Sequence, residues 1–272
     1  MKLENQKIVM TGGTSGLGTV VANHILNQGG ELFLLLRDPS KLDQIENTEK
    51  CHAIECDLAN LSAVKEAIET IKSKTDKLDV LINNAGMWNF GDKKLSKDNI
   101  ELTWQVNVLA PFLLMKELSP LLSKGENPII INTASALHFG EIYWEDPTFI
   151  KKKFSGFHAY RQSKLAIILL TIAHAEKTKD KIKVVSNHPG VINTKLARGA
   201  NWFIKLFFSL FGKAPKKGAE TILYLLNNRE SVATGKYFAD KKEKATSTKQ
   251  SKDKQSALRL EKMVEEQLEE VG

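Results

Sequence analysis

The chain has 272 residues, of which 42% are hydrophobic and 26% charged. A chain of that length can bury roughly 75% of its unfolded surface without a disulfide or metal staple, and its apolar fraction excludes a wholly disordered or collagen-like polymer. The net charge of +7 comes largely from lysines spread over helical surfaces; they are not interleaved with aromatics as a single-strand nucleic-acid platform requires, so no nucleic-acid partner is expected.

No stretch approaches the roughly 20 apolar residues that cross a bilayer. Residues 1–7 are charged and lack the apolar centre of a secretory signal, so a soluble, cytoplasmic protein is expected. Cys51 and Cys56 match no common zinc spacing and read as ordinary small core residues in a reducing compartment. The six histidines are scattered without ligand spacing, and no metal is expected.

In chain order, strands are expected at 7–11, 31–36, 52–56, 78–82, 128–133, 183–187 and 236–238. Helices are expected at 17–28, 61–74, 97–123, 157–177 and 216–227. Several strands are apolar almost throughout, the mark of a parallel sheet covered on both faces. Strand-then-helix alternation predicts an α/β, Rossmann-type doubly wound sheet, mostly parallel and seven-stranded, filling a single domain over 1–240. Residues 241–254 are polar and lysine-rich and read as an exposed connector. Helical spacing resumes over 256–270 with Leu258, Met263, Val264 and Leu268, predicting a short appended C-terminal helix.

Between the first strand and first helix stands Thr11-Gly12-Gly13-Thr14-Ser15-Gly16-Leu17-Gly18. Glycines there permit a tight turn and close backbone approach to a pyrophosphate, and the helix N-terminus offers free N–H groups and the positive end of its dipole. The spacing departs from G-x-G-x-x-G. It resembles the T-G-x-x-x-G-x-G of the short-chain dehydrogenase/reductase family, and further motifs follow in that family's order. They are Asn83-Asn84-Ala85-Gly86 after the fourth strand, Asn107 in the long helix, Ser135 after the fifth strand, Tyr160-x-x-x-Lys164, and Pro189-Gly190-Val191 after the sixth. The resemblance covers about residues 7–238. Leu36-Arg37-Asp38, residues 159–166 and His188-Pro189-Gly190-Val191 are most similar to the retinol-dehydrogenase-like branch.

The resemblance implies a nicotinamide cofactor held by Gly12, Thr14, Ser15, Gly16, Leu17 and Gly18. Asp57 and Leu58 would border the adenine, Asn83 and Ala85 the ribose, and Thr194 the nicotinamide amide, with Gly86, Tyr160, Lys164, Pro189, Gly190 and Val191 also contacting the cofactor. Nineteen residues past Gly18, where NAD-specific folds carry an acid for the ribose 2′-OH, stands Arg37. A guanidinium there can fork onto a 2′-phosphate, so NADP(H) is expected ahead of NAD(H). The neighbouring Asp38 reads as a helix-start acid before Pro39.

Tyr160 and Lys164 are four apart on a helix and share a face. An ammonium about 4 Å from the phenol is worth about 4 kcal/mol and could pull its pKa from about 10 to as low as about 7. Tyr160 would then exchange a proton with a carbonyl or alcohol oxygen, Ser135 would hydrogen-bond the same oxygen, and Lys164 would serve both phenol and cofactor. By resemblance, Asn107 would support Lys164 through a water and the helix backbone.

The 24 residues between Ser135 and Tyr160 include His138, Tyr143, Trp144, Glu145, Phe149, Phe154 and Phe157. They read either as a substrate-side loop of the retinol-dehydrogenase-like kind or as a loop packed on itself. Residues 201–211 are apolar apart from a stripe of Asn201, Lys205 and Ser209. The resemblance implies that residues 202–211 lid the substrate pocket, and their apolar face then favours an apolar aldehyde, ketone or alcohol; the same face also reads as core or dimer packing or as peripheral membrane contact. A homo-oligomer is implied only by the resemblance. The activity expected is carbonyl reduction or alcohol oxidation. The alternatives are a nucleotide-sensing or protein-binding module without turnover and a membrane-surface lipid or retinoid enzyme.

Overall fold

The computed structural model describes residues 3–178, 181–190 and 214–271. Its strands are β1 (Lys7–Thr11), β2 (Glu31–Leu36), β3 (Cys51–Glu55), β4 (Val80–Asn83), β5 (Ile129–Thr133), β6 (Lys183–His188), β7 (Tyr237–Ala239) and β8 (Lys242–Glu243). They form one sheet in the order β3-β2-β1-β4-β5-β6-β7-β8. Pairings from β3 through β7 are parallel and β8 alone is antiparallel. Strand order reverses between β1 and β4, and it is at the carboxyl ends flanking such a switch point that doubly wound sheets bind ligands.

The helices are α1 (Leu17–Asn27), α2 (Leu61–Lys74), α3 (Leu102–Trp104), α4 (Ala110–Leu122), α5 (Gly156–Thr178), α6 (Pro215–Asn227) and α7 (Lys254–Val271). One face of the sheet buries Val9, Phe33, Leu81 and Ile130 under α2, α4 and α5. The other buries Ile8, Met10, Leu32 and Ile131 under α1 and α6. Helix α5 is buried on nearly all sides, from Leu165 through Leu170, because the sheet covers one flank and α7 the other. Ala257, Leu260, Val264 and Leu268 of α7 belong to the same core as α5.

The eighth strand corrects the expected count of seven. It lies within 241–254, and a two-residue reversal at Asp240 (φ 48°) and Lys241 (φ 64°) folds it back on β7. Left-handed backbone at both positions suits the tight hairpin turns that match strand twist, but Asp-Lys lacks the glycine that usually announces one.

The helix expected over 97–123 is also divided. Residues 96–100 form a turn with Asn99 at φ 60°, and α3 begins only where the Glu101 carboxylate accepts the amides of Thr103 (3.0 Å) and Trp104 (2.8 Å). A π-turn over Gln105–Leu109 then leads into α4. Pro111 has no N–H for the carbonyl of Asn107 four residues earlier, which removes one α-helical bond at the point where the helix widens.

Candidate active site

The loop after β1 and the loop after β4 are locked together by side chains. Thr11 Oγ1 accepts the amides of Asn84 (3.1 Å) and Ala85 (3.0 Å), while Asn84 Nδ2 donates to the carbonyls of Gly12 (2.9 Å) and Thr11 (3.3 Å). Gly12 lies at φ +69°, and a Cβ there would stand 2.9 Å from Ala85 Cα. A Cβ on Gly18 would stand 1.9 Å from the Gly12 carbonyl oxygen. Gly16 caps α1 at φ 56°, ψ −130°, with no side-chain cap and no acid in the first turn. Thr14 and Gly16 are half-buried, Ser15 is exposed and Leu17 buried. The loop therefore presents backbone amides in a cradle that side chains would fill, and these residues fit a dinucleotide's pyrophosphate.

At the end of β2, Arg37 is exposed. Asp38 is engaged locally. Its carboxylate accepts Ser40 N (3.2 Å) and Ser40 Oγ (2.6 Å) and pairs with Lys41 (3.0 Å), as a helix-start acid should. The hydrogen bonds from Ser40 and Lys41 hold its pKa below the ordinary value. Beyond β3, Asp57 Oδ1 accepts Ala59 N (3.1 Å), and Leu58 is buried. Asn83 turns its side chain into the core, where Nδ2 donates to Asn132 Oδ1 (2.9 Å), so it is Asn84 whose amide meets the glycine loop. Gly190 follows β6 at φ 90°, beside Pro189. Val191, Thr194 and the segment 202–211 lie outside the described residues.

Ser135, Tyr160 and Lys164 converge beside these loops, with exposures of 8%, 5% and 4%. The Ser135 hydroxyl accepts Leu137 N (3.1 Å) and stands close enough to the Tyr160 side chain to draw its pKa down. Lys164 Nζ donates to the carbonyl of Thr133 (2.9 Å) and lies 5.7 Å from the Tyr160 ring centroid. Gly86 leaves room for it, since a Cβ there would stand 3.1 Å from Nζ and 3.4 Å from Asn107 Oδ1.

Asn107 grips the chain after Gly86. Its Oδ1 accepts Met87 N (2.8 Å), and its Nδ2 donates to Met87 O (2.9 Å) and Ser163 Oγ (3.0 Å). Ser163 Oγ in turn donates to the carbonyl of Tyr160 (2.7 Å). A continuous chain of bonds thus sets α5 against the π-turn.

Burial dominates the electrostatics. It pushes the Tyr160 phenol up to about 12, against the hydrogen bond with Ser135, and brings Lys164 down to about 8. The expected pull of Lys164 on the phenol is not what prevails here. The ammonium is directed at the Thr133 carbonyl, and desolvation disfavours both charged forms.

An aromatic wall adjoins Tyr160. Trp88 stacks on its ring (4.5 Å, 7°) and on Phe90 (4.6 Å), with Phe157 6.0 Å away. Phe157 lies near Phe139, and the Arg161 guanidinium sits over both rings.

Residues 6–202 match the family model for short chain dehydrogenase. The chain belongs to the short chain dehydrogenase family. This is a family of oxidoreductases, and its fold and motif order account for the convergence described above. Retinol dehydrogenase 13 of Homo sapiens is 30% identical over 276 residues, covering 95% of this chain and 83% of that protein. A short chain dehydrogenase from Burkholderia cenocepacia J2315, solved in complex with NADP, superposes with a TM-score of 0.67 at 25% identity, over 88% of this chain and 97% of that one. A 3-ketoacyl-(acyl-carrier-protein) reductase from Brucella melitensis, complexed with NADH, gives 0.68 at 22% identity over the same shares. Nicotinamide-bound neighbours of both kinds therefore share this dehydrogenase fold.

Thr11, Asn84, Trp88 and Pro111 are among the residues at this site that carry no role in the sequence reading. Thr11 and Asn84 stand inside the two motifs that were visible, so their signal was present. Trp88 acts through a tertiary neighbour and leaves no spacing of its own, whereas Pro111 acts locally, on the carbonyl of Asn107 one turn earlier.

Proposed function

We propose that this dehydrogenase is an NADPH-dependent carbonyl reductase, acting reversibly as an alcohol dehydrogenase, on apolar aldehydes or ketones. The observation that carries the reading is the buried Ser135–Tyr160 hydroxyl pair with Lys164 beside it, opening next to a glycine cradle that fits a dinucleotide. When bound, the nicotinamide supplies or receives the hydride.

The chain's own groups handle the oxygen and its proton. Tyr160, a phenol protonated at neutral pH whose pKa burial raises further, to about 12, donates its proton to a carbonyl oxygen in reduction and takes it back in oxidation. Ser135 donates a hydrogen bond to the same oxygen and fixes its place. Lys164, a cation at neutral pH with its pKa near 8, stabilises negative charge developing on the phenol. Asn107 holds the Met87 backbone and Ser163, and through them the orientation of α5.

Arg37 supports NADP(H): it is exposed at the end of β2 while Asp38 is occupied by Ser40 and Lys41. The wall of Trp88, Phe90 and Phe157 supports an apolar substrate, and retinol dehydrogenase 13 is named for one. Purified protein with NADPH or NADH and a panel of apolar aldehydes and ketones tests the reading, with Tyr160→Phe alongside. NADPH-linked turnover lost by a factor of about 10²–10⁴ in the variant, with NADPH binding retained, is the expected result. Full activity in Tyr160→Phe overturns the proton donor. Tight NADPH binding with silence on every carbonyl favours the nucleotide-sensing module instead.

A further inference from the structure

The loop that follows Ser135 is held by the C-terminal segment of the chain. His138, only 3% exposed, lies between them. Its Nδ1 is 2.6 Å from the carbonyl oxygen of Ser135, and its Nε2 accepts the amide of Ser247 at 3.0 Å. A carbonyl oxygen can only accept and a backbone amide can only donate. Nδ1 must therefore carry the hydrogen and Nε2 must be bare, which is one neutral tautomer and no other. Both polar atoms of a buried imidazole are thereby satisfied, and the ring is braced edge-on by Tyr237 of β7 (4.9 Å).

The Ser247 end of this link is itself built. Ser251 closes a turn by accepting Thr248 N (3.2 Å) and donating to Thr248 O (2.7 Å). Gln250 Oε1 accepts Ile142 N (3.0 Å), which anchors the same loop a second time. Further along, the Arg259 guanidinium lies over the Trp144 ring (4.3 Å), and Gln267 accepts the indole N–H of Trp104 (3.0 Å). Residues 247–267 thus grip the loop after Ser135 at three points and the start of the long helix at a fourth.

We propose that His138 is a positioning residue for the reduction, a neutral imidazole that transmits the anchoring of the C-terminal segment to Ser135. The inference rests on the reading that Ser135 hydrogen-bonds the reacting oxygen. Ser135 is held by a backbone bond to the imidazole and by its hydroxyl's contacts with Leu137 N and Tyr160, so releasing the first loosens the main chain that sets the hydroxyl against Tyr160. The C-terminal segment then belongs to the active site although it carries none of the reacting groups.

The test is a double-mutant cycle of His138→Phe and Ser135→Ala, with NADPH affinity and thermal melting measured on each protein. Expected is a fall in kcat of about tenfold or more for His138→Phe, with KM for the carbonyl and Kd for NADPH unchanged. In the Ser135→Ala background the same substitution should change kcat by less than about twofold, since nothing remains to be positioned. An equal loss in both backgrounds, or no loss in the Ser135-containing protein, overturns the proposal. Ser135→Ala with full activity removes the reading of Ser135 and the proposal with it; an impaired Ser135→Ala beside a fully active His138→Phe removes the proposal alone. Independently of turnover or variant folding, two-bond ¹H–¹⁵N spectra of the intact protein should show His138 with hydrogen on Nδ1 at neutral pH. Hydrogen on Nε2, or a charged ring, overturns the link.

Discussion

Trp88 lies flat against Tyr160, with ring centroids 4.5 Å apart and planes 7° from parallel. The indole covers one face of the phenol and contributes to the burial that keeps it protonated. Among the described residues its own N–H finds no acceptor. Trp88→Ala should raise KM for an apolar carbonyl by about 2–10-fold, the worth of one aromatic stack, and lower the Tyr160 pKa toward its ordinary value. Steady-state kinetics with an NADPH titration checks this, because NADPH affinity should not move.

Nucleotide choice should depend on Arg37. Replacing it with Asp removes charge-assisted bonds to a 2′-phosphate and adds repulsion, so NADPH affinity should fall by about 10–100-fold while NADH is spared. Fluorescence titration with each nucleotide measures it. An unchanged preference would assign the 2′-phosphate to another residue.

Gly12 cannot accept a side chain without strain. Its φ of +69° disfavours any L-residue, and the new Cβ would meet Ala85 Cα at 2.9 Å. Gly12→Ala should cost about 1–3 kcal/mol of stability and weaken NADPH binding together, because the same backbone forms the turn and the cradle. Thermal melting and nucleotide titration on one sample would show both losses.

Lys164 makes stability depend on alkaline pH. Its pKa is near 8 in the folded protein against an ordinary 10.5. Between those values the unfolded chain holds a proton that the folded chain has released, so stability rises with pH across the window. The cost of burying the ammonium is fully present below pH 8. Relative to Lys164→Met, the natural protein should gain in Tm as pH is raised from 8 toward 10, and melting curves at fixed ionic strength would show the difference. Tyr160 acts in the opposite sense and only at the top of that window, since its folded value of about 12 lies above the ordinary 10 and the unfolded chain loses the proton first as pH passes 10.

Much of the fold was legible because its signals are local. Continuous apolar runs such as 31–36 and 128–133 can only be strands with both faces covered, and β2 and β5 fall at Glu31–Leu36 and Ile129–Thr133. The helix-start reading of Asp38 likewise needed only Pro39 and its neighbours. What escaped depends on particular partners. The turn at Asp240 and Lys241 adopts left-handed backbone without glycine because β8 is paired on β7. The start of α3 is set by the Glu101 cap, and the π-turn by one missing donor at Pro111.

Residue order by itself determined the doubly wound parallel sheet, the glycine loop at its switch point, and the motif series that runs through Tyr160 and Lys164 to Pro189-Gly190-Val191. The sheet follows from periodicity and the loop from the conformational freedom of glycine, while the series is carried by its resemblance to the family. Tertiary structure alone decided the environment of those side chains. Lys164 faces the Thr133 carbonyl, Trp88 covers Tyr160, Asn84 rather than Asn83 meets the glycine loop, and His138 ties Ser135 to residues more than 100 positions away. Charge separation read from spacing sees the pairwise attraction and misses desolvation, which depends on everything packed around the pair, so the direction of the Tyr160 shift could come only from the folded protein.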